Sequence, residues 1–227
     1  MNHQFTRLPA LILRRTNYGE ADRIINFLTS EGQITALAKA VRKPKSKLAG
    51  ALEPFSLIDL VIIKTPNGMG RITGASLIEH YGQIIGSYDR IELGYYFLKI
   101  VNRLSRDIDS NDWFNILHQT LQALNNLSVD QRLIKIWFNL QAAKMLGEEL
   151  NLELTGQNQT VTLEKTYRYD IDNKFLLLDD NGHITGEKLR FLKAINTYNL
   201  SVVARIKGGE GYLDQLLDLS MLHLGFE

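Results

Sequence analysis

Residues Gln33 to Pro54 read QITALAKAVRKPKSKLAGALEP, and the fold turns on how that stretch divides. Its first part alternates apolar and polar residues, the pattern of a half-buried strand. The remainder carries Lys39, Arg42, Lys43, Lys45 and Lys47, with no acidic residue between Glu31 and Glu53. A cation cluster without internal counter-ions favours an external polyanion over an intramolecular salt bridge. Pro44 lacks a backbone donor and biases Lys43 toward an extended conformation, so the basic residues are expected on a loop leaving a strand rather than along a helix. The competing reading is a loop that is merely solvated.

Outward from this stretch, Ala10–Thr16, Arg23–Thr29, Gln33–Val41, Phe55–Lys64 and Met69–Glu79 read as strands, rich in β-branched and apolar residues. Tyr18-Gly19, Glu31-Gly32 and Pro66-Asn67-Gly68 supply the breaks, the Asn-Gly pair being suited to a two-residue hairpin turn. Five short strands with a basic loop suit a closed barrel of the OB type, and an SH3-like barrel fits the spacing almost as well. All four prolines lie in this head. So does the positive charge: residues 1–82 hold 11 Lys/Arg against 6 Asp/Glu, a net of +5, and the rest holds 15 against 19, a net of −4.

Beyond residue 82 the period becomes helical. Tyr88, Ile91, Tyr95, Leu98, Val101 and Leu104 form one stripe, and Trp113, Ile116, Leu117, Leu121 and Leu124 a second, both read as core. A third helix is expected from Ser128, with Gln131 completing a capping box, through Leu133, Ile136, Trp137, Leu140 and Ala143 to a stop near Gly147. The segment from about 151 to 186 breaks the pattern. Thr166–Asp170 and Lys174–Leu178 read as short strands before a turn at Asp180-Asn181-Gly182, an inserted β finger. Helices return at Glu187–Asn196, Leu200–Lys207 and Tyr212–Leu224. The expectation is an α+β chain: a five-stranded OB-type β-barrel over 1–82, then a mainly α-helical domain over 83–227 with the finger inserted.

Catalytic signatures are absent. The chain has no cysteine, which removes a disulfide framework, a thiol nucleophile and thiolate metal ligation. His3, His80, His118, His183 and His223 stand apart from any triad or metal-ligand spacing. Asp170-x-Asp172 opens like a calcium loop, but Lys174 and Phe175 stand where an oxygen ligand and a glycine are needed. Neither Gly208-Gly209-Glu210-Gly211 nor Gly68-Met69-Gly70 has the context of a phosphate cradle. No cofactor, no metal and no enzyme activity are expected. The apolar run near the N-terminus is too short for a signal peptide and no stretch approaches a membrane span, so a soluble cytoplasmic protein is expected.

Tyr18-Gly19-Glu20-Ala21-Asp22-Arg23, Thr29-Ser30-Glu31-Gly32, Ala38-Lys39, Lys45-Ser46-Lys47-Leu48 and Gly50-Ala51-Leu52-Glu53-Pro54-Phe55, in that order and spacing, resemble the N-terminal domain of the bacterial recombination mediator family RecO. The match continues to Ile78-Glu79. Leu146-Gly147 closing a helix and Thr166-Tyr167-Arg168-Tyr169 in the finger are similar to the family's C-terminal region. The resemblance implies an OB fold followed by a helical domain, and no substrate turnover. It also implies annealing of complementary single strands covered by single-strand-binding protein, work with RecR and in some bacteria RecF, and help in loading the recombinase RecA. Both single-stranded and double-stranded DNA are then expected partners, in a nucleoid-associated protein. An OB barrel follows the backbone with a charged groove and stacks bases on aromatic rings. On that basis Arg14, Arg15, Lys39, Arg42, Lys43, Lys45, Lys47 and Arg71 are the expected phosphate contacts. Tyr18 and Phe55 are candidate stacking platforms, Phe55 fitting the barrel core at least as well. An OB-type RNA-binding module in translation or RNA metabolism would show the same electrostatics.

The chain departs from the family pattern in several places. Some relatives hold zinc in the finger through four cysteines; here packing alone must hold it. Many have a glycine after the position of Lys39, where Ala40 and Val41 suggest a more regular strand. The basic tail often seen in the family is not expected after Gly225-Phe226-Glu227, and Asn139 stands where an acid is common. Family members recognise the acidic, Phe-ended tail of single-strand-binding protein, a ligand needing a cation beside an apolar pocket. Arg132 and Lys135, three residues apart on the third helix with Ile136 and Trp137 alongside, are the expected contacts, against the alternative of a solvated helix face.

Overall fold

The computed structural model describes residues 5–63, 69–106 and 111–225. The expected turn at Pro66-Asn67-Gly68 lies outside them, as do His3, Lys64, Phe226 and Glu227. Five strands, β1 (Phe5–Tyr18), β2 (Asp22–Thr29), β3 (Gly32–Ala38), β4 (Ser56–Ile63) and β5 (Gly70–His80), pair in the order β1-β2-β3-β5-β4, and β4 pairs back to β1 to close an OB-type barrel. Every pairing is antiparallel except β3 with β5, where Ala36 faces Gly70 and Leu37 faces Arg71. Ala10, Ile12, Ile25, Phe27, Ala36, Ile58, Leu60, Ile62 and Ile72 fill the interior, the inward half of the alternation. Small residues allow the parallel closure: a Cβ on Gly70 would lie 3.3 Å from the Cβ of Ala36.

β3 ends at Ala38, short of the expected Val41, because Ala40 turns left-handed with φ +52°. The more regular strand expected at Ala40-Val41 is therefore overturned. Two hydrogen bonds fix the turn: the Ala40 amide donates to Asp22 Oδ1 at 2.7 Å and the Arg42 amide to Ala21 O at 2.9 Å. The chain then folds in on itself. Val41 and Leu52 are buried and Leu48 and Ala49 pack against the barrel core, so the apolar residues of the basic loop stopper one end of the barrel. An alanine in the left-handed region costs about 1–2 kcal/mol, which glycine avoids at an entropic cost of about 0.5–1 kcal/mol. Ala40→Gly is expected to raise stability by a few tenths to about 1 kcal/mol, read as a higher urea midpoint. A lower midpoint would show that the methyl group's packing outweighs the strain.

Helices α1 (Tyr88–Leu104) and α2 (Asn111–Asn125) follow. Packing divides the chain at 126/127, with residues 1–126 forming one compact unit and 127–227 the other. The change of periodicity at residue 82 thus marks where strands give way to helices, and two helices beyond it pack with the barrel. Gln33 Nε2 donates to Asn102 O at 3.0 Å and to Ser105 Oγ at 2.8 Å, and Asn26 Nδ2 donates to Asn102 Oδ1 at 3.1 Å. Buried Arg90 donates to the carbonyls of Leu124 and Asn126 at the end of α2, where a cation complements the helix dipole.

The second unit contains α3 (Gln131–Met145), a hairpin of β6 (Tyr167–Asp170) and β7 (Phe175–Leu178), α4 (Gly186–Thr197), the short α5 (Leu200–Val203) and α6 (Leu213–Leu224). The N-cap of α3 is Asp130, whose carboxylate accepts from the Arg132 amide at 2.8 Å. The helix thus begins two residues later than expected from Ser128, on a residue equally suited to capping. Asn139 is fully buried and donates to Ser220 Oγ of α6 at 3.2 Å.

The finger is held by close packing. A Cβ on Gly156 would lie 2.1 Å from the Phe175 ring, and the buried Tyr167 hydroxyl accepts from the Thr162 amide at 2.8 Å. His223 ties finger to helix: its Nδ1 pairs with the Tyr169 hydroxyl at 2.7 Å and its Nε2 with Glu148 O at 2.7 Å. Burial lowers its pKa from the ordinary value, so the neutral ring, donating from Nε2 and accepting at Nδ1, is the folded form. Unfolded chains bind a proton there first as pH falls, so this contribution is complete above about 6.5 and is lost below it. The melting temperature should fall between pH 7.5 and pH 5 by more in wild type than in His223→Gln; equal slopes would remove His223 as the cause.

Candidate nucleic-acid interface

The loop of residues 39–54 projects its charges because its apolar side chains are committed inward. Lys39, Arg42, Lys43, Lys45 and Lys47 are all exposed, and none forms an ion pair among the described residues. The loop is also lashed to the β1–β2 turn. Besides the two amide bonds at Ala40 and Arg42, Arg42 Nη1 donates to Gly19 O at 3.2 Å. That turn carries Tyr18, which is 55% exposed. Arg71 lies on the outer face of β5, exposed, with its Cα paired to Leu37 two positions before Lys39. Five loop cations, Arg71 and one exposed aromatic thus belong to one end of the barrel, on a rigid base. The arrangement can follow a chain of phosphates, and an exposed ring beside it can receive a base.

Other expected residues are placed differently. The β1–β2 register shifts between Ile12 and Arg14; this bulge at Leu13 resets the alternation, leaving Arg14 exposed and sending Arg15 toward the loop's end. There Arg15 Nη1 donates to Leu52 O at 2.9 Å and pairs with Glu53 at 2.8 Å. Arg15 is accordingly a tie between β1 and the basic loop. Phe55, with φ +55°, is 2% exposed and cannot receive a base. Its ring meets Tyr95 edge-on with centroids 5.1 Å apart.

Two of the residues expected on α3 have partners within the second unit. Arg132 is bound to Asp130 at 2.6 Å and Asp214 at 2.9 Å, hydrogen bonds that hold its guanidinium above its ordinary pKa, Asp130 contributing most. Trp137 is 2% exposed and donates Nε1–H to Tyr198 O at 2.9 Å, so its ring presents no open face to a ligand. Lys135 is half-buried on the same helix.

Two residues escaped the sequence reading. Tyr95, assigned to the core by its place in an apolar stripe, is 49% exposed. With Lys99 one turn along α1 it lines a cleft that Arg14 also lines; no sequence spacing links α1 to β1. Among the described residues no group of His, Asp or Glu could hold a metal ion, and no helix is long and apolar enough to cross a membrane.

Comparison with known proteins agrees with the barrel and extends past it. The family profile described as Recombination protein O N terminal matches residues 1–81. A protein of Desulfosudis oleivorans named DNA repair protein RecO is 34% identical over 61% of this chain and 55% of its own length. One of the same name from Heliobacterium modesticaldum is 34% identical over 62% of this chain and 51% of its own. The chain thus spans about half the length of these two relatives. A third so named, from Dehalococcoides mccartyi, is 32% identical over 94% of this chain and 87% of its own length. With a profile matching the barrel and a relative aligned almost end to end, the chain belongs to the RecO family of DNA repair proteins.

Proposed function

We propose that this protein is a non-enzymatic recombination mediator in DNA repair that binds and anneals single-stranded DNA and helps load the recombinase RecA onto DNA coated with single-strand-binding protein. The observation that carries this reading is the set of five exposed cations, without carboxylate partners among the described residues, on a loop whose apolar residues anchor it in the barrel end. Residues 1–82 are its DNA-binding part, double-stranded DNA is a second ligand, and RecR, with RecF in some bacteria, is the partner. It works in the cytoplasm on the nucleoid.

Annealing of complementary strands coated with the cognate single-strand-binding protein tests the reading directly; acceleration over the protein-free rate is expected. Tight binding of matched single-stranded RNA, with no annealing of DNA, would favour an RNA-binding module instead. Single-strand affinity should be tolerant of sequence and fall with salt at a log–log slope of about −2 to −3.5, for roughly three to five neutralised phosphates.

The acidic tail of single-strand-binding protein is part of the same proposal, but its site is not built on Arg132. In the second unit, a groove of about 370 Å³ lined by Arg168, Lys188, Ile171 and Leu222 offers cations beside exposed apolar side chains, the combination such a tail requires; Asp218 also lines it, and Arg168 pairs with Asp179 at 3.5 Å, a contact the tail's carboxylates would have to replace. Titration of a labelled tail peptide should show weaker binding to Arg168→Ala, Lys188→Ala than to Arg132→Ala; the reverse order would return the site to α3.

A further inference from the structure

Between the bulged half of β1 and helix α1 runs a cleft of about 460 Å³, within the size range of sites that enclose a small molecule. Arg14 lines it from β1 and Lys99 from α1, Leu13 and Leu98 contribute apolar lining, Tyr95 and Pro54 add to it, and Arg15, already paired with Glu53, lines it as well. Among the described residues no carboxylate-bearing one lines it. Arg14 and Lys99 are exposed and make no ion pair among the described residues. Two cations lining one cleft beside apolar side chains, with no ion-pair partner among the described residues, suit an anion attached to a flat apolar body.

Tyr95 is built to meet that body. It sits four residues before Lys99, on the same face of α1, half exposed, with its ring braced edge-on by Phe55 at 5.1 Å and 62°. Phe55 reaches it only because Gly94 carries no side chain: a Cβ there would lie 2.6 Å from the Phe55 ring. A braced, half-exposed ring loses little freedom when a second ring stacks on it. Pro54, at the end of the basic loop, also lines the cleft, so loop and cleft adjoin.

We propose that this cleft is a nucleotide subsite for single-stranded DNA, in which Arg14 and Lys99 take a backbone phosphate and Tyr95 stacks an unpaired base. The inference rests on the DNA-binding reading above and extends the path from the basic loop onto α1. A duplex keeps its bases stacked on one another and cannot supply the ring, so the subsite discriminates single strands from double.

The test measures binding of the full chain to a fluorescent oligothymidylate and to a duplex of the same length over a range of salt. Tyr95→Ala should weaken single-strand binding roughly 10-fold to 100-fold while duplex affinity stays within about twofold, and Tyr95→Phe should retain the wild-type preference. Lys99→Ala should reduce the steepness of the single-strand salt slope by about 0.7, one phosphate contact. If wild type binds single strands and both alanine variants match it in affinity and slope, the subsite is refuted and the loop reading stands. Equal losses on single and double strands would refute the stacking role. A wild type that binds no single-stranded DNA at all would overturn the proposed function itself, and this subsite with it.

Discussion

Replacing Arg42, Lys43, Lys45 and Lys47 together by alanine is expected to lower single-strand affinity by roughly 10²–10³-fold at 0.1 M salt and to flatten most of the salt dependence. Each phosphate contact on a single strand contributes about 0.7 to the log–log slope, so four account for nearly three units of it. The fold should survive, because all four side chains are exposed while Val41, Leu48, Ala49 and Leu52 do the packing. Arg42 gives up one side-chain hydrogen bond to Gly19 O, but its amide still donates to Ala21 O. Titration by fluorescence anisotropy at several salt concentrations, with circular dichroism on the same samples, reads both effects. An unfolded variant would show that the charges help hold the loop. A folded variant with wild-type affinity would move the DNA path off the loop.

The barrel was legible because its signals are local: inward alternation on each strand and glycines at the breaks need no knowledge of the partner strand. What escaped depends on tertiary contacts. Ala40 and Phe55 both take positive φ where no glycine announces it. Asp22 from a neighbouring strand secures the first; the second carries a ring that only Gly94, on a helix about forty positions later, can admit. A bulge cannot be read from a period of two, so Arg14 and Arg15 looked equivalent although one faces solvent and the other binds Glu53. One signal was available and passed over. Val41, Leu48 and Leu52 are apolar residues inside a basic loop, and such residues are costly on a purely solvated segment. They distinguish an anchored cationic surface from a floppy one.

Phe55 and Gly94 should be strongly coupled in a double-mutant cycle. Phe55→Ala empties a fully packed site and is expected to cost about 3–5 kcal/mol. Gly94→Ala alone forces a methyl group to within 2.6 Å of the Phe55 ring. Overpacking of that kind costs about 1–3 kcal/mol, set against a gain of up to about 1 kcal/mol from alanine's helix propensity. With Phe55 already reduced to alanine, the new methyl keeps only an ordinary contact with Ile84 at 3.5 Å, and the helical gain remains. The double variant should therefore be no less stable than Phe55→Ala, giving a coupling energy of about 1–3 kcal/mol. Denaturant midpoints of the four proteins decide it. Simple additivity would mean that the ring swings aside without cost and that Phe55 does not brace Tyr95. The cycle also reaches function: if Phe55 holds Tyr95 for an unpaired base, Phe55→Ala should weaken single-strand binding more than duplex binding in samples shown to be folded, although no base touches Phe55.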